Sequence, residues 1–178
     1  INRSIPLYIS AIAVAVGFKM GLFNIGVEGQ YLVASLIAAF VGSQFSIITP
    51  IHILFIIIIA VASSAMWAAI AGYLKVKKGI HEVISTIMLN YIGTGLIAYG
   101  LTNVFDEAGS DYELPRTPEL PESGKMPALN NLFRLEDLQD LHGFLFVAIV
   151  VGICYYWLVW KTTLGFDLRI SGANPVAA

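Results

Sequence analysis

Apolar residues in this chain run in long uncharged blocks, and polar residues collect in the gaps between them. Residues 83–105 and 141–160 each suit one membrane-crossing helix, at about 1.5 Å per residue against a hydrocarbon core of roughly 30 Å. Between Glu28 and Lys75 there is no Asp, Glu, Lys or Arg. Residues 29–74 are too long for one helix, and Gly42, Ser43, Thr49 and Pro50 mark a turn that divides them into spans near 29–47 and 51–74. The block at 4–18 falls short of a span. It crosses only if its helix runs past Lys19 into the GLFNIG segment, with Lys19 snorkelling towards the headgroups. The pattern predicts an all-α, polytopic membrane helix bundle of about five membrane segments, the first broken or irregular at its end.

Composition agrees. The 178 residues are 57% hydrophobic and 12% charged, about half the charged fraction of a soluble domain. A net charge of −2 gives no sign of nucleic-acid binding. The single cysteine, Cys154, lies inside an apolar block, which leaves no intrachain disulfide and no cysteine-based metal site. With no initiator Met or leader pattern at Ile1, the sequence reads as an internal fragment of a longer chain.

Basic residues set the expected orientation. Lys75, Lys77 and Lys78 cluster between the third and fourth segments and Lys161 ends the fifth, which places both sites in the cytoplasm. By alternation the N-terminus, the Pro50 turn and an acidic loop at 106–140 lie outside, and Glu28 falls on the cytoplasmic half. Pro115, Pro118, Pro121 and Pro127 favour extended, turn-rich backbone in that loop. It is either a solvated connection or a docking surface for an extracytoplasmic partner.

Residues 21–30, GLFNIGVEGQ, form a glycine-rich polar break beside oil-like helices. Gly21, Gly26 and Gly29 permit backbone angles that other residues resist, and Asn24, Glu28 and Gln30 can bond the backbone groups such a break exposes. Two readings fit: unwound backbone lining a transport cavity, or a cytoplasmic turn with Glu28 as a helix N-terminal acid. In the fourth segment Glu82, Thr86, Asn90 and Thr94 repeat every four residues as a slowly rotating polar stripe, with Gly93 and Gly95 allowing close helix approach. Such a stripe should face protein or water rather than lipid. Glu82 is expected in a first helical turn near the lysine cluster. Asn90, placed deeper, serves either as packing glue or as pathway lining.

Enzyme signatures are absent: there is no phosphate loop, no HExxH and no GxSxG. His52, His81 and His142 fall near predicted membrane ends and are expected to be interfacial rather than ligands or bases. Trp67, Tyr91 and Trp157 could stack on a substrate ring, but packing and interfacial anchoring are the commoner uses.

Four stretches carry a resemblance to a known family. GLFNIGVEGQYLVAS resembles the signature segment of ABC importer permeases serving nucleosides, simple sugars and branched-chain amino acids. HEVISTIMLNYI is similar to that family's EVISTIMLNYI helix, TPELPESGKMPAL to the outer loop of its nucleoside subgroup, and LGFDLRISGANPVAA to its cytoplasmic segment. The chain departs from the family at His81, commonly Asn, at Ile170, usually Ala, and at Ala173 and Val176, often polar or charged.

The resemblance implies a single permease domain over 1–178, with an extracytoplasmic loop at 106–140 and a cytoplasmic coupling segment at 162–178. It implies no catalysis by the chain itself and no cofactor, with ATP and Mg bound by a partner ATPase. The expected partners are ATP-binding cassette subunits, a second permease subunit, an extracytoplasmic substrate-binding protein and the lipid bilayer. Expected pathway or gate residues are Asn24, Glu28, Gln30, Thr86 and Asn90. Gly165, Leu168, Arg169, Gly172, Asn174 and Pro175 match the coupling pattern. The expected function is nucleoside import across a bacterial inner membrane. The alternatives are a ribose- or galactose-type sugar permease, a proton- or cation-coupled secondary transporter using Glu28, or a structural membrane subunit.

Overall fold

The structure, a computed structural model, describes residues 2–105, 115–129 and 142–173. Its regular elements are helices α1 (Ser4–Lys19), α2 (Val27–Ser43), α3 (Thr49–Lys78), α4 (Glu82–Asn103), α5 (Phe144–Lys161) and α6 (Thr163–Ala173), with a 3₁₀ turn at Glu122–Gly124. The predicted all-helical bundle is present. Helices α3, α4 and α5 are long and apolar enough to cross a membrane; α1 and α2, at 16 and 17 residues, are shorter.

Boundaries differ from the sequence expectation where caps decide them. Helix α1 does not continue into GLFNIG. It stops at Lys19 because Gly21 takes the left-handed region at φ 69°, with Gly21 N–H donating to Phe18 O and Leu22 N–H to Gly17 O. That pair of bonds is a Schellman closure. The irregularity expected within the first segment therefore lies after it. The expected span at 29–47 is helical only to Ser43. Helix α3 absorbs the lysine cluster into its last turn, where cations face the negative end of the helix dipole, and the link to α4 shrinks to residues 79–81.

The chain divides into two compact units, Ile25–Lys125 and Ile1–Asn24 with Met126–Ala178. In the first, α2 packs on α3 and α4, and α3 also carries the 3₁₀ turn. In the second, α1, α5 and α6 pack together. Apolar side chains such as Leu54, Ile58, Val61 and Met66 on α3 stand exposed, as expected of a helix whose partner is lipid or further helices.

His52 departs from its expected interfacial role. It is fully buried in the first turns of α3. Its Nε2 lies 3.0 Å from the Gly42 carbonyl, which can only accept, so that nitrogen donates. Its Nδ1 lies 2.8 Å from Ser123 Oγ. The imidazole thus ties the end of α2 and the start of α3 to residues 122–124. Of the loop at 106–140, residues 115–129 are described, and 115–121 are non-helical, as the prolines require. Lys125, hydrogen-bonded to Glu122 at 2.7 Å and attracted by its charge, is held above the ordinary lysine pKa and stays a cation.

Candidate functional site

The polar break is built differently at its two ends. At the N-terminal end, the Schellman closure at Gly21 turns the chain back so that Leu22 O and Asn24 crowd Gly17 of α1. Only Gly21 in the break uses a positive φ; Gly26 sits at φ −79° and needs no glycine-only angle.

At the C-terminal end, α2 begins after Gly26, which has no side chain to cap it. The cap comes from another helix. Asn90 Oδ1, on α4, accepts from Gly29 N–H at 2.9 Å, the third amide of α2, and Asn90 Nδ2 donates to Ile25 O at 3.0 Å. One carboxamide therefore satisfies an orphan donor and an orphan acceptor at a helix start. Gly29 makes this possible by its size. A Cβ there would stand 2.8 Å from Asn90 Oδ1, 3.0 Å from Asn90 Cα and 3.2 Å from Leu89 O. A Cβ on Gly93, one turn along α4, would stand 3.5 Å from Gly29 Cα, so α2 and α4 cross closely here. This geometry gives Asn90 a packing role at the α2–α4 crossing.

Thr86 is buried and its hydroxyl donates to Glu82 O at 2.8 Å, within its own helix. Thr94, the outer member of the stripe, is exposed and bonds Asn90 O. The stripe turns away because each four-residue step advances about 40° beyond a full turn. Gly95, also expected to face a neighbour, has nothing within 4 Å of a built Cβ. Glu28 is exposed in the first turn of α2, and Asn24 and Gln30 are half-buried. Glu82, only 13% exposed, pairs with Lys75 at 2.8 Å across the α3–α4 turn. His81 caps α4: its Nδ1 accepts from Val83 N–H at 3.3 Å.

The coupling pattern falls on α6, in the unit with α1 and α5. Thr162 Oγ1 accepts from Gly165 N–H at 3.1 Å, an N-cap that folds α6 sharply back from α5. Gly165 is buried because its backbone lies on the carbonyls of Leu158 and Val159, leaving no room for a Cβ. Arg169 Nε donates to Gly165 O at 3.2 Å, and its guanidinium lies 4.7 Å from the centroid of the Trp160 ring. Leu168 is half-buried. Gly172 rests on the backbone at the end of α1. Asn174 and Pro175 lie outside the described residues.

His52 and Trp160 were missed as structural centres by sequence reasoning. Nothing in the local pattern separates a buried bridging imidazole or a cation-bearing indole from the interfacial kind. An apolar cleft of about 300 Å³ between α1 and α5, lined by Ser4, Ile5, Tyr8, Leu145, Ala148 and Ile149, offers little to a polar solute.

Comparison with known proteins gives this geometry a family. The branched-chain amino acid transport system / permease component family matches residues 1–178. The guanosine ABC transporter permease protein NupP of Bacillus subtilis (strain 168) is 36% identical over 178 residues, 100% of this chain and 49% of that protein. The nucleoside ABC transporter permease protein NupB of Lactococcus lactis subsp. cremoris (strain MG1363) is 30% identical, covering 97% of this chain and 48% of that protein. The glucose ABC transporter permease protein TsgB13 of Haloferax volcanii is 29% identical, covering 99% and 47%. The chain thus spans about half the length of these curated relatives. No solved structure matches it significantly. With the signature break, the capped EVISTIMLNYI helix and the folded-back α6 all lying inside the matched range, this chain belongs to the branched-chain amino acid transport system permease component family.

Proposed function

We propose that the chain is part of a permease subunit in a binding-protein-dependent ABC importer that moves nucleosides across a bacterial inner membrane. The observation that carries this is the match of all 178 residues to a permease family, with guanosine and nucleoside permeases among its relatives. The chain itself hydrolyses nothing. ATP and Mg bind to separate cassette subunits, a second permease subunit completes the pathway, and an extracytoplasmic protein delivers substrate. The Lys75–Lys78 end of α3 and the α5–α6 fold lie on the cytoplasmic side, supported by their cations, and the loop carrying Ser123 lies outside.

In this reading Asn24, Glu28, Gln30, Thr86 and Asn90 stand at the pathway or its gate. Asn90 serves by fixing the start of α2, so the gate's position depends on one carboxamide. Gly165, Leu168, Arg169, Gly172, Asn174 and Pro175 form the segment that meets the ATPase. A simple-sugar substrate is the second reading, favoured by the similarity to a glucose permease.

The deciding experiment reconstitutes the full-length permease with its ATPase and binding protein in liposomes. Guanosine uptake that requires ATP, with sugars excluded, is the expected result. Uptake of glucose or ribose alone would move the assignment to sugars. Uptake driven by a proton gradient without an ATPase would sink the ABC reading.

A further inference from the structure

The coupling helix and the polar break meet backbone to backbone. A Cβ on Gly172 of α6 would fall 2.9 Å from Lys19 C and 3.1 Å from Gly21 N, and closer still to Lys19 O. From the other side, a Cβ on Gly21 would lie 3.6 Å from both Gly172 Cα and Gly172 O. Side chains of the same two segments also share one ring. Lys19 Nζ lies 5.5 Å from the Trp160 centroid and Arg169 Cζ lies 4.7 Å from it. Helix α6 therefore meets the end of α1 backbone to backbone, and each of the two sets a cation near the Trp160 ring of α5.

Gly21 is the residue at which α1 stops and the break begins. Its φ of 69° depends on the closure bonds beneath it. Five residues later the chain reaches Gly26 and the helix start that Asn90 caps. The boundary between the two compact units also falls inside this stretch, between Asn24 and Ile25.

We propose that Gly172 and Gly21 are positioning residues for transport, forming the contact through which a displacement of α6 enters the polar break and reaches the Asn90-held start of α2. This rests on the permease reading and names the place where the ATPase's effect is received. Gly172 has to be glycine because any side chain would lift α6 off the α1 terminus. Arg169 then holds α6 against Trp160.

The test uses the full-length permease reconstituted with its cassette subunits and binding protein. In Gly172→Ala and Gly21→Ala, substrate moved per ATP hydrolysed should fall roughly two- to thirtyfold. The double variant should lose no more than the worse single variant, because Gly172→Ala opens the contact and Gly21→Ala strains the turn on which it rests. Gly95→Ala, which adds the same methyl to open space, should behave as wild type. Wild-type uptake per ATP in Gly172→Ala overturns the inference. A wild-type complex that hydrolyses ATP yet moves neither nucleoside nor sugar overturns the permease reading, and this inference with it. If the glycine variants do not accumulate, amide hydrogen exchange in the unmodified complex decides. Exchange at residues 20–26 should change when ATP binds, and unchanged exchange there overturns the proposal.

Discussion

The α1–α2 and α3–α4 joins each stop a helix on a left-handed glycine, Gly21 at φ 69° and Gly79 at φ 67°, and are then completed by different means. The α3–α4 join is finished locally. Gly79 N–H bonds Lys75 O, His81 caps α4, and Lys75 pairs with Glu82, all within eight residues of chain. The α1–α2 join is finished from a distance: Gly172 covers the end of α1, and Asn90 supplies the cap that Gly26 cannot. A locally capped turn keeps its shape whatever its neighbours do. A remotely capped one reports the position of the helices that cap it, which is the property a gate requires.

The sharpest way to break the comparison is to deny the remote cap its access. Gly29→Val places branched carbon where even a Cβ would lie 3.0 Å from Asn90 Cα, so α2 and α4 must separate. Overpacking of this kind should cost roughly 3 kcal/mol. Thermal unfolding of the purified full-length protein measures it, and a variant that melts with wild type would mean the helices do not cross this closely.

Removing the cap itself comes next. Asn90→Ala leaves Gly29 N–H and Ile25 O without the carboxamide and should cost about 1–2 kcal/mol. Asn90→Asp keeps an acceptor for Gly29 N–H but loses the donor to Ile25 O, so it should fall between wild type and alanine. If both variants lose uptake while their amides at 25–30 exchange as slowly as wild type, Asn90 touches substrate and the packing account is wrong.

The local join should respond in a simpler way. A Cβ on Gly79 meets nothing within 4 Å, so Gly79→Ala is charged only for its backbone angle, about 1 kcal/mol. Its uptake per ATP should stay at the wild-type value. Gly21→Ala bears a similar angular cost, so a matched loss of stability with unequal loss of transport is the outcome that separates the two joins.

These two joins also mark what the sequence could disclose. Span existence, helix type and the Pro50 turn were legible because uncharged length and turn residues are local quantities. The first-turn position of Glu82 was legible for the same reason. The remote caps were not. Asn90 and Gly29 are 61 residues apart, and a four-residue polar repeat carries no information about which backbone it will meet. For Gly172 the coupling pattern was legible but its packing was not, because the space it must leave empty belongs to α1. His52 looked interfacial because Gly42 and Ser123 reach it only after α2, α3 and residues 122–124 have assembled.

The smallest expected effect concerns His81, the N-cap of α4. Histidine and asparagine can both accept from the second amide of α4, and asparagine is among the best N-caps. His81→Asn should therefore leave stability within a few tenths of a kcal/mol, while His81→Ala should lose about 1 kcal/mol. The Nδ1 that accepts from Val83 N–H lies 3.5 Å from Glu82 Oε2, and Lys75 Nζ lies closer, at 2.8 Å. His81→Asn should consequently leave the Lys75–Glu82 bridge and the nucleoside-to-sugar preference of uptake unchanged. A shift in that preference would place residue 81 against substrate, and the α3–α4 join would then be a second site and not the inert member of the pair.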